Sequence, residues 1–134
     1  MVTTDAGKPN LAVVPLLKDG LEVRAASAQT EPELLGWHVR KDMDPQYVPA
    51  TTVLHTRRGE GVQHFLTLLM PLKAGAANPV KQVQARGPAA AEVTLADGRR
   101  LLIEAGANPA GGISVRETLA DGEAGRAVTG GVRR

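Results

Sequence analysis

Hydrophobic and polar residues alternate along much of this chain with the period of two that is typical of β-strands. The longest such stretch, residues 47–73, reads YVPATTVLHTRRGEGVQHFLTLLMPLK and carries proline near both outer ends. Its two arms, residues 50–57 and 62–70, flank a charged Gly-Glu-Gly turn, and this arrangement predicts a long antiparallel hairpin. Because both faces of the second arm are largely apolar, we expect a strand that is covered on both sides.

Two further hairpins are predicted on either side of this stretch. Residues 10–17 are followed by Lys18-Asp19-Gly20 and then by an alternating segment, which predicts a first hairpin. Near the C-terminal end, Asp97-Gly98 lies between two hydrophobic runs and is the strongest short-range hairpin signal in the chain, since both central residues of a type I′ turn need positive φ. Single strands are predicted at 34–39, 80–85 and 113–116, with loops at 41–49 and 106–112.

These patterns predict an all-β fold, an antiparallel β-sandwich of short strands and hairpins. Fifteen Gly and nine Pro punctuate the chain, which argues against long helices. We expect an N-terminal extension at 1–9, a sandwich domain at 10–117 and a flexible Gly-rich tail at 118–134.

The composition of the chain argues against several classes of function. Aromatic residues make up 2% of the chain, so the core must consist mainly of Val, Leu, Ile and Ala. The net charge is +2, and the basic residues are spread out without interleaved aromatics, which argues against a nucleic-acid partner. There is no cysteine for a disulfide or a thiolate ligand. The N-terminal segment lacks the pattern of a secretory signal, and no apolar run approaches a membrane span.

The order of segments resembles the C-terminal β-sandwich region of the heparinase II/III family of bacterial polysaccharide lyases. The resemblance rests on Gly36-Trp37, the PATTV strand at 49–53 and the TLLMP strand at 67–71, followed by PVKQV and the EVTLADGRRLLI hairpin. It covers about residues 10–105. Family members are often periplasmic or secreted, although the chain itself leaves its localisation open.

The resemblance implies a partner and a ligand. Lyases of this family carry an N-terminal α/α toroid that supplies most of the catalytic Tyr, His and Asn residues, and the sandwich packs against it. They cleave acidic polysaccharide by β-elimination, which requires a neutralised carboxylate, a base and an acid. This chain has no toroid, so no residue is assigned as catalytic and no cofactor is expected.

Five residues are candidates for substrate binding, and each also has a structural interpretation. Trp37 and His38 beside a loop could offer a flat surface to a sugar ring, whereas the tryptophan could instead anchor a core. Tyr47, between Pro45 and Pro49, could contact substrate or pack at the surface. His55 and Arg57 share a strand face that could meet a uronate carboxylate, although a structural histidine is the favoured interpretation for His55.

Other polar residues are weaker candidates. His64 lies on an apolar face and is interpreted as a core or interface histidine. The three histidines lie far apart in the sequence and show no metal-ligand spacing, so no metal site is predicted. The pairs Arg57-Arg58 and Arg99-Arg100 could contact acidic polysaccharide or could serve as solvated turn charges.

We therefore expect a non-catalytic sandwich that supports the toroid of such a lyase or contacts acidic polysaccharide. The alternative is a stand-alone module that binds carbohydrate or protein. A third possibility is a fragment that forms homo-oligomers through open strand edges.

Overall fold

The computed structural model describes residues 1–40, 46–106 and 112–130, and over these ranges the protein is all-β. The strands are β1 (Asn10–Pro15), β2 (Leu21–Ala26), β3 (Trp37–Val39), β4 (Tyr47–Pro49), β5 (Thr52–Arg57), β6 (Thr67–Leu72), β7 (Val80–Gly87), β8 (Ala90–Leu95), β9 (Arg100–Ala105), β10 (Ile113–Thr118) and β11 (Ala124–Gly130). Every strand pairing is antiparallel. In the described ranges, no helix is long and apolar enough to cross a bilayer.

The chain divides into two compact units. Unit 1 combines residues 1–18 with the chain from 64 onward, and unit 2 consists of residues 19–63. Unit 2 is therefore inserted between the two segments of unit 1 rather than following it in the sequence.

Unit 1 contains two sheets that share one core. Strands β7 to β11 form a five-stranded meander, and β1 pairs with β6 in a second sheet. Residues 1–3 extend the second sheet along the free side of β1, where Val2 bridges Ala12. Both sheets contribute buried aliphatic side chains to a single cluster, which gives a sandwich-like arrangement. The cluster comprises Ala12, Val14, Leu16, Leu17, Leu66, Leu72, Ala91, Val93, Leu95 and Ile103.

Strand β8 shows how the sequence pattern sets the faces of the five-stranded sheet. Ala91, Val93 and Leu95 are buried, whereas the alternating Glu92 and Thr94 are only half-buried. Period-two alternation thus assigns one face of β8 to the core and leaves the opposite, outer face to polar side chains.

The described residues of unit 2 form two short strand pairs. Strand β2 pairs with β5, and β3 pairs with β4. They meet near Gly36, whose carbonyl oxygen accepts hydrogen bonds from the backbone N–H groups of Ala28 (3.0 Å) and Ala50 (2.8 Å).

The all-β class and the Asp97-Gly98 hairpin are confirmed, since β8 and β9 pair directly across that turn. The strands predicted at 80–85 and 113–116 are also confirmed, as β7 and β10. The strand predicted at 34–39 is shorter and begins at Trp37, and β4 forms where part of a loop was expected. The remainder of that loop, 41–45, and most of the 106–112 linker lie outside the described residues.

The predictions of a first hairpin and of the long hairpin at 47–73 are wrong. The arms of the long hairpin do not pair with each other, because β5 pairs with β2 and β6 pairs with β1. The arms of the first predicted hairpin, β1 and β2, likewise do not pair with each other. Alternation specifies a strand and its faces but not its partner, and these pairings join segments far apart in the sequence.

The second arm is also not covered on both sides. Only its last part is a strand, and on β6 one face is half-buried to buried while Leu69 on the other face is 58% exposed. The predicted core position of His64 is likewise not found, since this histidine is exposed.

Two of the predicted domain ranges can be compared with the strands and with the compact units. The expected flexible tail at 118–134 contains strand β11, which pairs with β10 along its length. The glycines there suggested mobility, but residues 124–130 pair with β10, with one register shift between Arg116 and Thr118. Residues 131–134 lie outside the described ranges. The single domain predicted at 10–117 is instead divided between the two units.

Candidate functional site

A shallow apolar cup on the β3–β4 pair of unit 2 brings together two of the predicted binding residues. Val39 lies opposite Tyr47 in the register, and Trp37 lies opposite Pro49. Trp37 and Tyr47 are thus diagonal neighbours on the same face of the pair. Together with Leu34 they line a cavity of about 240 Å³.

The indole of Trp37 is fixed from behind by the preceding loop. Its Nε1–H donates to the carbonyl oxygen of Gln29 at 2.9 Å. Gln29 and Leu35 exchange two backbone hydrogen bonds of 3.0 and 3.1 Å, and the Gln29 side-chain amide donates to the carbonyl of Glu33 at 3.0 Å. The loop that carries Leu34 is therefore closed on itself and holds the tryptophan ring in one orientation.

Gly36 allows the backbone to approach closely beneath the cup. Its φ is +75°, in the region that favours glycine. A Cβ added there would lie 2.5 Å from Ser27 Cα, 2.6 Å from the Ala26 carbonyl oxygen and 2.8 Å from that of Ala50. Because all three neighbours are backbone atoms, no side-chain movement could make room for a larger residue.

The rim of the cup faces solvent. Tyr47 is 56% exposed and Leu34 is 65% exposed, although both present large apolar surfaces. Exposed aromatic and aliphatic surface on a rigid support is typical of a binding site, and no described residue of unit 2 covers Leu34 or Tyr47. The flat C–H face of a sugar ring is a partner that fits such a surface.

The other three predicted binding residues do not line the cup. His38 lies next to Trp37 on β3, so its side chain projects from the opposite face. His55 and Arg57 lie on β5, opposite Val23 and Leu21 of β2. The structure therefore separates the aromatic candidates from the cationic ones.

A second, polar depression lies on the other face of the β2–β5 pair, and sequence analysis missed most of it. It measures about 360 Å³ and includes Glu22 and Arg24 of β2 and Thr56 of β5. Arg58 also lines it and lies 4.0 Å from Glu22, with both side chains well exposed. Arg58 alternates with Arg57, so this sequence-adjacent pair does not form one cationic patch.

The shifted pKa values occur in unit 1, at the β8–β9 turn. The side chain and the backbone N–H of Arg99 bond to Asp97 and lower the pKa of this carboxyl. The pKa of Glu117 is lowered mainly by a hydrogen bond from the Arg99 side chain (2.9 Å) and to a smaller extent by one from the backbone N–H of Arg126. The hydrogen bonds that Arg99 donates to Asp97 and, with a smaller effect, to Glu117 raise the pKa of Arg99. Arg99 is thus a structural ion-pair centre.

Among residues 1–40, 46–106 and 112–130, no cluster of three or more His, Asp or Glu side chains is placed to hold a metal ion. Comparisons of the chain with protein-family models, with curated proteins and with solved structures found no significant match. The described residues thus form an all-β protein that carries a partly exposed apolar cup with two aromatic rings.

Proposed function

We propose that this chain is a non-catalytic carbohydrate-binding protein that resembles the C-terminal sandwich of heparinase II/III lyases and contacts acidic polysaccharide. The observation that carries the proposal is the cup of Leu34, Trp37 and Tyr47, in which Leu34 and Tyr47 are exposed and the half-buried Trp37 is held by a hydrogen bond. The acidic nature of the ligand is inferred from the sequence resemblance, since the cup itself is apolar.

The composition of the cup supports binding rather than cleavage. β-Elimination needs one group to neutralise a carboxylate, one to remove a proton and one to protonate the leaving oxygen. Tyr47 is the only titratable side chain among the described residues that line the cup. We therefore infer that any chemistry on the bound polysaccharide is performed by another domain or chain.

Calorimetric titration with heparin, heparan sulfate and alginate oligosaccharides tests the binding. Replacing Trp37→Ala or Tyr47→Ala should each weaken binding at least about tenfold, because each removes one stacking surface. Val62→Ala is the matched control, because Val62 is 81% exposed in the same unit but lies outside the cup. Equal affinity of all the variants would contradict the proposal.

A lyase assay tests the non-catalytic part. The isolated chain should produce no ultraviolet-absorbing unsaturated uronate from the same three polysaccharides. If the chain alone formed this product and the Tyr47→Phe variant did not, the elimination reaction would take place in this chain, and the non-catalytic part of the proposal would be wrong. Product formed only after addition of a separately expressed toroid would support the split-lyase form of the proposal.

A protein-binding module is the second candidate function, favoured by the outer face of the β1–β6 sheet. Leu69 of β6 is 58% exposed and lies opposite Val13 of β1, and Phe65, which precedes β6, is 55% exposed. We infer that the partner would be the toroid implied by the resemblance. Size-exclusion chromatography with the toroid should show a complex that Leu69→Lys weakens, whereas a homodimer of the chain alone would contradict this assignment.

A further inference from the structure

The pair Asp-Gly occurs three times in the chain, as Asp19-Gly20, Asp97-Gly98 and Asp121-Gly122. Each pair lies in a turn, and the φ of its glycine is positive, between +67° and +92°. A glycine has no Cβ to shield its main-chain nitrogen, so this nitrogen can approach the side-chain carboxyl group of the preceding aspartate. The three pairs are therefore candidate sites for the same backbone reaction within one molecule.

This reaction converts aspartate to isoaspartate in two steps. The glycine nitrogen attacks the carboxyl carbon Cγ of the protonated aspartate; an N–Cγ bond forms, the C–OH bond breaks, and the hydroxyl leaves with the N–H proton as water, which closes a cyclic succinimide. Water then adds to the main-chain carbonyl carbon of the former aspartate and breaks the original peptide C–N bond, so that the chain continues through the side chain. Because the water lost in the first step is regained in the second, the mass is unchanged and no oxidant or cofactor takes part.

At Asp97-Gly98, hydrogen bonds hold both reacting groups. The Asp97 carboxylate accepts a bond from Nε of Arg99 at 2.8 Å and one from the Arg99 backbone N–H at 3.1 Å. These bonds lower the pKa of the carboxyl, so fewer molecules carry the proton that must leave with the water. The N–H of Gly98 donates to the carbonyl oxygen of Leu95 at 3.1 Å, and this bond must break before the nitrogen can attack.

At Asp121-Gly122, the same two groups are held by different partners. Oδ1 of Asp121 accepts a hydrogen bond from the backbone N–H of Glu123 at 3.0 Å. The N–H of Gly122 donates to the carbonyl oxygen of Leu119 at 3.0 Å. In this turn, too, the carboxyl and the nitrogen are engaged in separate hydrogen bonds and must leave them to react.

At Asp19-Gly20, neither reacting group is held in this way. Within the described ranges, no hydrogen bond or ion pair reaches the Asp19 carboxylate, and the N–H of Gly20 donates to no acceptor. Both residues are exposed, and a Cβ added at Gly20 would meet nothing within 4 Å. Neighbouring described atoms therefore do not obstruct the approach of the nitrogen to the carboxyl or of water to the ring.

We propose that Asp19 is a site of spontaneous isoaspartate formation in the folded chain, and that it reacts faster than Asp97 and Asp121. The pair lies in the connection between β1 and β2, and Asp19 is the first residue of unit 2. The product keeps the net charge but adds one carbon to the backbone at this position. It belongs to the class of substrates that isoaspartyl carboxyl methyltransferases methylate, and the inference does not depend on any ligand of the cup.

Incubation of the full chain at neutral pH, followed by peptide mapping, measures the reaction at all three sites in one sample. Isoaspartyl and aspartyl peptides have equal mass but separate by chromatography, and an isoaspartyl methyltransferase with labelled S-adenosylmethionine labels only the former. We expect isoaspartate to form at Asp19 at least about tenfold faster than at Asp97 or Asp121, because those pairs must first break hydrogen bonds at both reacting groups. Equal rates at the three sites of the folded chain would overturn the proposal.

The same chain in urea is the control for the fold, because unfolding removes the hydrogen bonds of the two protected turns. The three rates should then become similar, and an undiminished preference for Asp19 would overturn the proposal, since the local sequence would be its cause. Asp19→Glu should abolish the reaction at this position, because the longer side chain would have to close a larger ring. Asp121→Glu is the matched substitution and should leave the rate at Asp19 unchanged. Isoaspartate that formed as fast in Asp19→Glu as in the unmodified chain would place the reactive residue elsewhere and overturn the proposal.

Discussion

At the scale of single residues, Gly36 determines whether the cup can form. Gly36→Ala should lower the free energy of unfolding by at least about 3 kcal/mol, because a positive φ and three close backbone contacts add together. Urea unfolding followed by the fluorescence of Trp37 measures this, since Trp37 is the only tryptophan.

Gly61→Ala is the matched control in the same unit. Gly61 has a similar φ of +74°, but a Cβ there would meet nothing within 4 Å. Its cost should be the conformational part alone, about 1–2 kcal/mol. Equal destabilisation by the two substitutions would show that the close backbone contacts at Gly36 add nothing to the loss of stability.

The sequence predicted the two aromatic residues of the cup but not their arrangement. Trp37 and Tyr47 stood out because the chain has so few aromatics, although the sequence also allowed a core anchor for Trp37 and surface packing for Tyr47. Leu34 was missed, since an isolated leucine before a short strand gives no signal for a binding surface. His38 was included for its adjacency to Trp37, but adjacent strand residues point to opposite faces.

At the scale of elements, the Asp97–Arg99–Glu117 cluster ties the β8–β9 turn to β10. The pKa values of both carboxyls lie below their ordinary values of 3.8 and 4.5. A carboxyl whose pKa is lower in the folded chain than in the unfolded chain stabilises the fold at any pH above its ordinary pKa. That stabilisation is lost as the pH falls through the lowered pKa. Stability should therefore decline as the pH falls below about 4.5, because the unfolded chain then takes up protons at these carboxyls more readily than the folded chain.

Glu117→Gln should flatten this decline, because the variant has no carboxylate to protonate at that position. The measurement is the urea midpoint between about pH 6 and about pH 3. Glu123→Gln is the control, since the Glu123 side chain is exposed and makes no hydrogen bond within the described residues. If stability fell with the same slope at acid pH in both variants, the Asp97–Arg99–Glu117 cluster would not be the cause of the decline.

Local elements were predictable from sequence, whereas long-range pairings were not. Asp97-Gly98 specifies its hairpin because the turn itself fixes the register of β8 and β9. The pairing of β1 with β6 has no local signal, since unit 2 separates the two strands in sequence.

At the scale of the whole molecule, every residue of the main hydrophobic cluster belongs to unit 1. Leu16→Ala should therefore cost about 2–5 kcal/mol, because Leu16 is 1% exposed within that cluster. Leu69→Ala, in the same unit but 58% exposed, should stay within about 0.5 kcal/mol of the unmodified chain. Chemical unfolding followed by circular dichroism would compare them, and similar losses would contradict the assigned faces of the sheet.

The most direct test of the central claim is a titration of Trp37 fluorescence with heparin, heparan sulfate and alginate oligosaccharides. The indole lines the cup, so binding there should produce a saturable change in its emission, and Tyr47→Ala should shift the midpoint at least about tenfold higher. Val62→Ala should leave the midpoint unchanged. Binding detected by calorimetry without any change in Trp37 emission would contradict the claim that the cup holds the polysaccharide.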